Sequence, residues 1–157
     1  MTSSNFRGFL RHLGESGRLC VAAEGVPLKY TLAAIAKRRD GAQAVWFPRP
    51  GGHDVPVVAG LAANRSWLAE AMAVAVDDLP RTYQAAVDRP PPWREIDAAP
   101  CQEVVHERPD LARLMPIPVH NEHDSGSYIT AGLVIARNPR TGAQNVSINR
   151  LQLSGPD

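Results

Sequence analysis

The sequence has 157 residues, 44% of them hydrophobic and 21% charged, with a formal net charge of +1 at pH 7. That charge excludes a global field steering the chain to nucleic acid or an anionic membrane. No run approaches the roughly 20 apolar residues of a membrane span. The first five residues lack the basic and then apolar pattern of a signal peptide, so Cys20 and Cys101 read as reduced thiols of a cytoplasmic protein.

Taken in order, Ser4 and Asn5 are positioned to cap a helix whose apolar residues, Phe6, Phe9, Leu10 and Leu13, recur on one face. Ser16 and Gly17 stop it. Residues 18–23 form a short apolar run that suits a strand. Pro27 opens a second predicted helix, with Leu28, Leu32, Ile35 and Ala36 on one side and Lys37, Arg38 and Arg39 at its end. Those cations complement the negative end of the helix dipole, which accounts for them without an anionic ligand. Residues 43–47 and 55–59 read as strands joined by a Pro-Gly turn, with Trp46 in the core. Asn64 caps a third helix through Trp67, Leu68, Ala71, Met72 and Ala75. A fourth starts near Leu79 and Pro80 and stacks Leu79, Tyr83 and Val87. Helices alternating with short strands predict an α/β domain of mixed character.

From Arg89 the texture changes, and half of the 14 prolines fall between Pro90 and Pro118. Pro90, Pro91 and Pro92 make a stiff spacer. Residues 101–106 suit a strand, residues 109–111 a single helical turn, and Pro116-Ile-Pro118 an extended segment. Residues 128–137 and 143–150 are two strand-forming runs around a loop with Asn138, Pro139 and Gly142, the pattern of a β-hairpin.

Two clusters are candidates for chemistry. His120-Asn-Glu-His123-Asp124 has an H-x-x-H spacing followed by Ser and Gly, which places it on a solvated loop rather than on a metal-binding helix. Arg150 ends a strand crowded with Asn145, Ser147 and Asn149. It is either an exposed strand-end arginine or a bidentate holder of a carboxylate or phosphate. If Arg137 pairs with Ala143, Thr130 lies opposite Arg150 and Asn145 points to the other face. Serving one site would then require a bulge or strong twist between Asn145 and Arg150.

Four stretches carry a family resemblance: Pro100-Cys-Gln-Glu-Val-Val-His106, residues 114–118, Asp124-Ser-Gly-Ser-Tyr-Ile-Thr-Ala-Gly132, and Gln144-Asn-Val-Ser-Ile-Asn-Arg-Leu-Gln152. Together with the opening helix they resemble the UbiD family of decarboxylases, which act on aromatic and α,β-unsaturated acids through prenylated FMN. The resemblance implies an N-terminal α/β domain over residues 1–99, with a Pro-rich crossing segment at 89–99. Residues 100–157 would then begin a split β-barrel that binds the flavin. It further implies that Asn145 ligates Mn2+, with K+ a further candidate cation, and that Thr130, Ser147, Ile148, Asn149 and Arg150 line the cofactor. Arg150 would also hydrogen-bond the catalytic acids and the substrate carboxylate. Family members are several hundred residues long. Their remaining metal ligands, catalytic acids and C-terminal oligomerisation domain match nothing here. The expectation is therefore the N-terminal part of a decarboxylase, inactive alone. The alternatives are a short subunit or a non-catalytic scaffold module completed by a companion chain or in a homo-oligomer.

Overall fold

The computed structural model describes residues 5–92 and 94–155. The chain mixes helices and sheets, in the order α1 (Phe6–Glu15), β1 (Leu19–Val21), α2 (Thr31–Arg38), β2 (Ala44–Phe47), β3 (Val57–Ala59), α3 (Arg65–Met72), α4 (Leu79–Asp88), α5 (Leu111–Leu114), β4 (Tyr128–Arg137) and β5 (Gln144–Gln152). Strands β1, β2 and β3 form one sheet in that order, and β4 and β5 form a second. No helix among the described residues is long and apolar enough to cross a membrane.

Two compact units result. The first comprises the residues up to Cys20, Arg39–Trp46 and Val58–Glu107; the second comprises Val21–Arg38, Phe47–Val57 and everything from Arg108. In the first unit, Asn5 caps α1 by accepting from the Gly8 amide at 2.8 Å. Ser4, also expected there, lies outside the described residues. The heptad-like spacing of α1 brings Leu13 into a core with Ala44 and Trp67, flanked by Phe9, Leu19 and Leu61. Asn64 caps α3 through the Ser66 amide at 3.0 Å and also donates to the Gly41 carbonyl at 3.1 Å. One side chain thereby fixes both a helix start and a loop. Glu70 of α3 takes His12 Nε2 at 3.0 Å and Arg18 Nη1 at 2.7 Å. The hydrogen bond from His12 and then that from Arg18 hold its carboxyl below the ordinary value.

In the second unit, Leu32, Phe47 and Pro50 are fully buried, with Val26 and Ile117 close to it. Residues 116–119 run extended beside the start of α2: Lys29 bridges Val119 in parallel, and the Tyr30 amide donates to the Val119 carbonyl at 2.9 Å. The same extended segment holds the second sheet, because the Tyr128 amide donates to the Pro118 carbonyl at 3.2 Å.

Four expectations need correction. The second helix begins at Thr31, not after Pro27, because the Val119 bridge comes first and Tyr30 adopts a left-handed φ of 63°. Leu28 is therefore off the helix and packs under Gly51, where a Cβ would stand 2.9 Å from Leu28 Cγ. Trp46 is only half-buried, and Trp67 takes the core position. Residues 101–106 form no strand: Pro100–Gln102 make a 3-10 turn, and Val104 and Val105 are 72% and 77% exposed, with no ladder partner. Beyond Leu79, the apolar stripe of α4 faces solvent, with Tyr83 69% exposed.

Candidate functional site

The hairpin that carries most of the candidate residues is built by its turn. Asn138 Oδ1 accepts from the amides of Arg140 and Thr141 at 2.9 and 3.2 Å. Gly142 takes a left-handed φ of 72°, which a Cβ would resist. The turn sets Arg137 opposite Gln144, so the ladder between the turn and Gly132 is offset by one residue from the expected register. A register shift between Ile129 and Gly132 then absorbs that residue, and Tyr128 faces Gln152 and Ile129 faces Leu151, as expected. Thr130 and Ala131 thus fall in a bulge at the level of Arg150.

The expected break in alternation therefore sits on β4, not on β5. Pairing along β5 is continuous from Gln144 to Asn149, so Asn145, Ser147 and Asn149 share one face, and the Asn149 amide donates to Ser147 Oγ at 2.8 Å. Ile148 and Arg150 lie on the other face by alternation. Asn145 and Arg150 are not brought together within β5. A β-bulge bends its own strand and raises local twist, so it re-aims Thr130 rather than Asn145.

Arg150 is the best-held member of the set. Its Nη2 donates to Asp124 Oδ1 at 3.0 Å, and its guanidinium carbon lies 3.8 Å from the Tyr128 ring centre. The Tyr128 hydroxyl lies 2.8 Å from Ser125 Oγ, which also accepts from Gln152 Nε2 at 3.0 Å. Asp124 stands in the candidate His120–Asp124 cluster, but its contact with Arg150 was missed from the sequence. The signal was its place directly ahead of the Tyr128 strand in the motif Asp124-Ser-Gly-Ser-Tyr128. The rest of the His120–Asp124 segment is a self-contained turn: the Asn121 amide donates to Asp124 Oδ2 and the His123 amide to Asn121 Oδ1, both at 3.0 Å.

Two depressions of this unit lie away from the hairpin. One depression of about 570 Å³ is lined by Gly51–Val55 and Ala112–Leu114, and another of about 340 Å³ by α2 residues, His120, Asn121 and Glu122. Neither includes a residue of β4 or β5. The hairpin is open on both faces instead: Leu133, Ile135 and Ile148 on one are 67%, 65% and 74% exposed, and Val134 on the other is 39% exposed. Among the described residues no group of three or more His, Cys, Asp or Glu side chains is arranged to hold a metal.

A long, open hairpin with a bulge at a clamped arginine is the candidate wall of a binding site within a mixed α and β fold. Comparison with known proteins gives that wall a family. Residues 10–87 match the 3-octaprenyl-4-hydroxybenzoate carboxy-lyase N-terminal domain, and residues 94–157 match the Rift-related domain of the same carboxy-lyase. The chain belongs to the UbiD family. The UbiD-class enzyme HmfF from Pelotomaculum thermopropionicum, in an evolved dimeric form in complex with prFMN, is 42% identical and superimposes with a TM-score of 0.89 over 96% of this chain and 36% of its own. An anhydromevalonate phosphate decarboxylase of Methanothermobacter thermautotrophicus is 31% identical over 96% of this chain and 34% of its own length. A Rhodospirillum rubrum protein encoded in the cooM 5' region is 36% identical over 90% of this chain and 31% of its own length. The chain thus spans about a third of the length of these relatives.

Proposed function

We propose that this chain supplies the N-terminal part of a non-oxidative decarboxylase that acts on aromatic or α,β-unsaturated carboxylic acids through prenylated FMN, and that it has no turnover alone. The observation that carries the reading is the hairpin itself. Over 96% of its length the chain superimposes on a prFMN-bound relative at a TM-score of 0.89, and in this chain the hairpin holds Arg150 against Asp124 beside a bulge at Thr130. Residues 1–99 then form the N-terminal α/β domain and residues 100–157 begin the split β-barrel, crossed by the Pro-rich segment at 89–99.

The residues present fit the flavin in part. Exposed Ile148 offers an apolar surface for a planar ring on the face of β5 that carries Arg150, whereas the hydrogen-bonding groups of Ser147 and Asn149 lie on the opposite face. Thr130 re-aims at the bulge toward the Arg150 level. The prenylated ring, when bound, takes up the electron pair left as carbon dioxide departs. Arg150 holds the substrate carboxylate and orients the acid that returns a proton. The metal does not fit on these residues alone. A hard cation takes about six oxygen ligands, and Asn145 supplies one, so no step is assigned to Mn2+ or K+. We assign Asn145 to the phosphate and metal end of the cofactor, completed by groups outside this chain. The compartment is cytoplasmic in this reading, and Cys20 and Cys101 form no disulfide.

The direct check is an assay of the purified chain with prenylated FMN and Mn2+ against aromatic and acrylic acids. No carbon dioxide release is expected; turnover would overturn the claim that catalysis needs the remaining two thirds. Co-purification with a second polypeptide carrying the missing acids would replace this reading with a companion-chain enzyme.

A further inference from the structure

Asp124 reaches Arg150 across 26 residues of sequence, and its side chain is only 17% exposed while that of Arg150 is 56% exposed. Its two oxygens are divided. Oδ2 accepts from the Asn121 amide at 3.0 Å, which anchors the carboxylate to its own turn, and Oδ1 accepts from Arg150 Nη2 at 3.0 Å. The guanidinium carbon lies over the Tyr128 ring, 3.8 Å from its centre, and the Tyr128 hydroxyl is hydrogen-bonded to Ser125. Among the described residues Nη2 is the one guanidinium nitrogen so engaged, and the side chain as a whole stays 56% exposed.

We propose that Asp124 is a positioning residue for Arg150: with Tyr128 it fixes the guanidinium in one orientation and leaves its free edge for a carboxylate ligand. This rests on the reading of Arg150 as a carboxylate holder. Two effects of Asp124 oppose each other. Its negative charge competes with an incoming anion, but a solvent-screened charge of this kind is worth about fivefold or less in an equilibrium constant. Releasing a clamped arginine restores rotamer freedom worth roughly thirtyfold. Ordering therefore outweighs competition.

The test uses the isotopically labelled chain, with benzoate as the carboxylate probe and the Arg150 side-chain resonances as reporter. Stacking on Tyr128 should shift the Arg150 signals upfield, and benzoate should move them further. Asp124→Asn keeps an acceptor for the Asn121 amide but loses the charge. It should collapse the ring shift and weaken benzoate binding roughly fivefold to tenfold, with cross-strand contacts between Gly132 and Asn149 retained as the fold control. Asp124→Glu should restore part of both, and Tyr128→Leu should remove the ring shift with Asp124 intact. An unchanged ring shift in Asp124→Asn, or tighter benzoate binding, overturns the proposal, the second by showing Asp124 to be a competitor. If benzoate leaves the wild-type Arg150 signals unmoved while the ring shift still depends on Asp124, the positioning stands and the carboxylate reading of Arg150 fails.

Discussion

Arg150 and Glu70 show how differently a charge behaves as part of a site and as part of a fold. Arg150 is clamped by Asp124 and Tyr128 yet remains more than half exposed, so its truncation removes an exposed guanidinium and little packing. Arg150→Ala in an enzyme carrying this segment should abolish decarboxylation while the circular dichroism of the chain stays unchanged; near-normal turnover would remove Arg150 from the site. Glu70 is purely structural. Hydrogen bonds from His12 first and Arg18 next hold its carboxyl below its ordinary value. A carboxyl depressed in the folded state contributes stability above its unfolded value and loses it as pH falls through its folded value. Glu70 is 39% exposed, so Glu70→Gln should cost under about 1 kcal/mol at pH 7. Urea midpoints of wild type and variant should differ at pH 7 and converge as the pH is lowered through the folded carboxyl's titration; a gap that persists once the carboxyl is protonated contradicts the ion-pair account.

At the level of elements, most of the first unit was legible from periodicity and caps. Asn5, Asn64 and the Leu13 spacing mark helices that start where expected, because the signals are local, although α3 ends at Met72 rather than reaching Ala75, where Ala73 turns left-handed at φ 56°. The failures are places where a distant segment decides. Lys29 and Tyr30 are taken from α2 by Val119, some 90 residues on, and the valines of residues 101–106 find no strand to pair with. In the hairpin, the turn chemistry displaced the register by one residue and the bulge at Thr130 and Ala131 restored it, so the Thr130–Arg150 juxtaposition survived an error in between. Spacing alone had no means of choosing which strand would carry the irregularity. Gly132 marks the end of that bulge: a Cβ there would lie 3.0 Å from Leu151 Cδ1 and 3.1 Å from the Asn149 carbonyl oxygen. Gly132→Val should therefore destabilise the hairpin by about 1–3 kcal/mol, seen as faster amide exchange in residues 128–137; unchanged exchange would show that the bulge relaxes. Asn138→Ala removes an acceptor from two amides and should cost about 1 kcal/mol by the same measurement.

For the molecule as a whole, the family resemblance carries what local physics does not. Nothing in Asn145, Ser147 or Ile148 taken singly names a flavin, and the hairpin that bears them exposes apolar groups on open strands. Unpaired edges beside exposed apolar side chains favour association, so the isolated chain should sediment with a concentration-dependent mass. Ile148→Lys should shift it toward monomer; an unaffected distribution would place the contact elsewhere. The central claim is that this segment works as one third of a UbiD-class decarboxylase, with Arg150 at its chemistry. The most direct measurement is turnover of a chimaera in which residues 1–157 replace the matching third of HmfF from Pelotomaculum thermopropionicum, loaded with prenylated FMN. The account predicts carbon dioxide release that is lost in Arg150→Ala. A folded, cofactor-loaded chimaera without turnover, or one indifferent to Arg150→Ala, would contradict it.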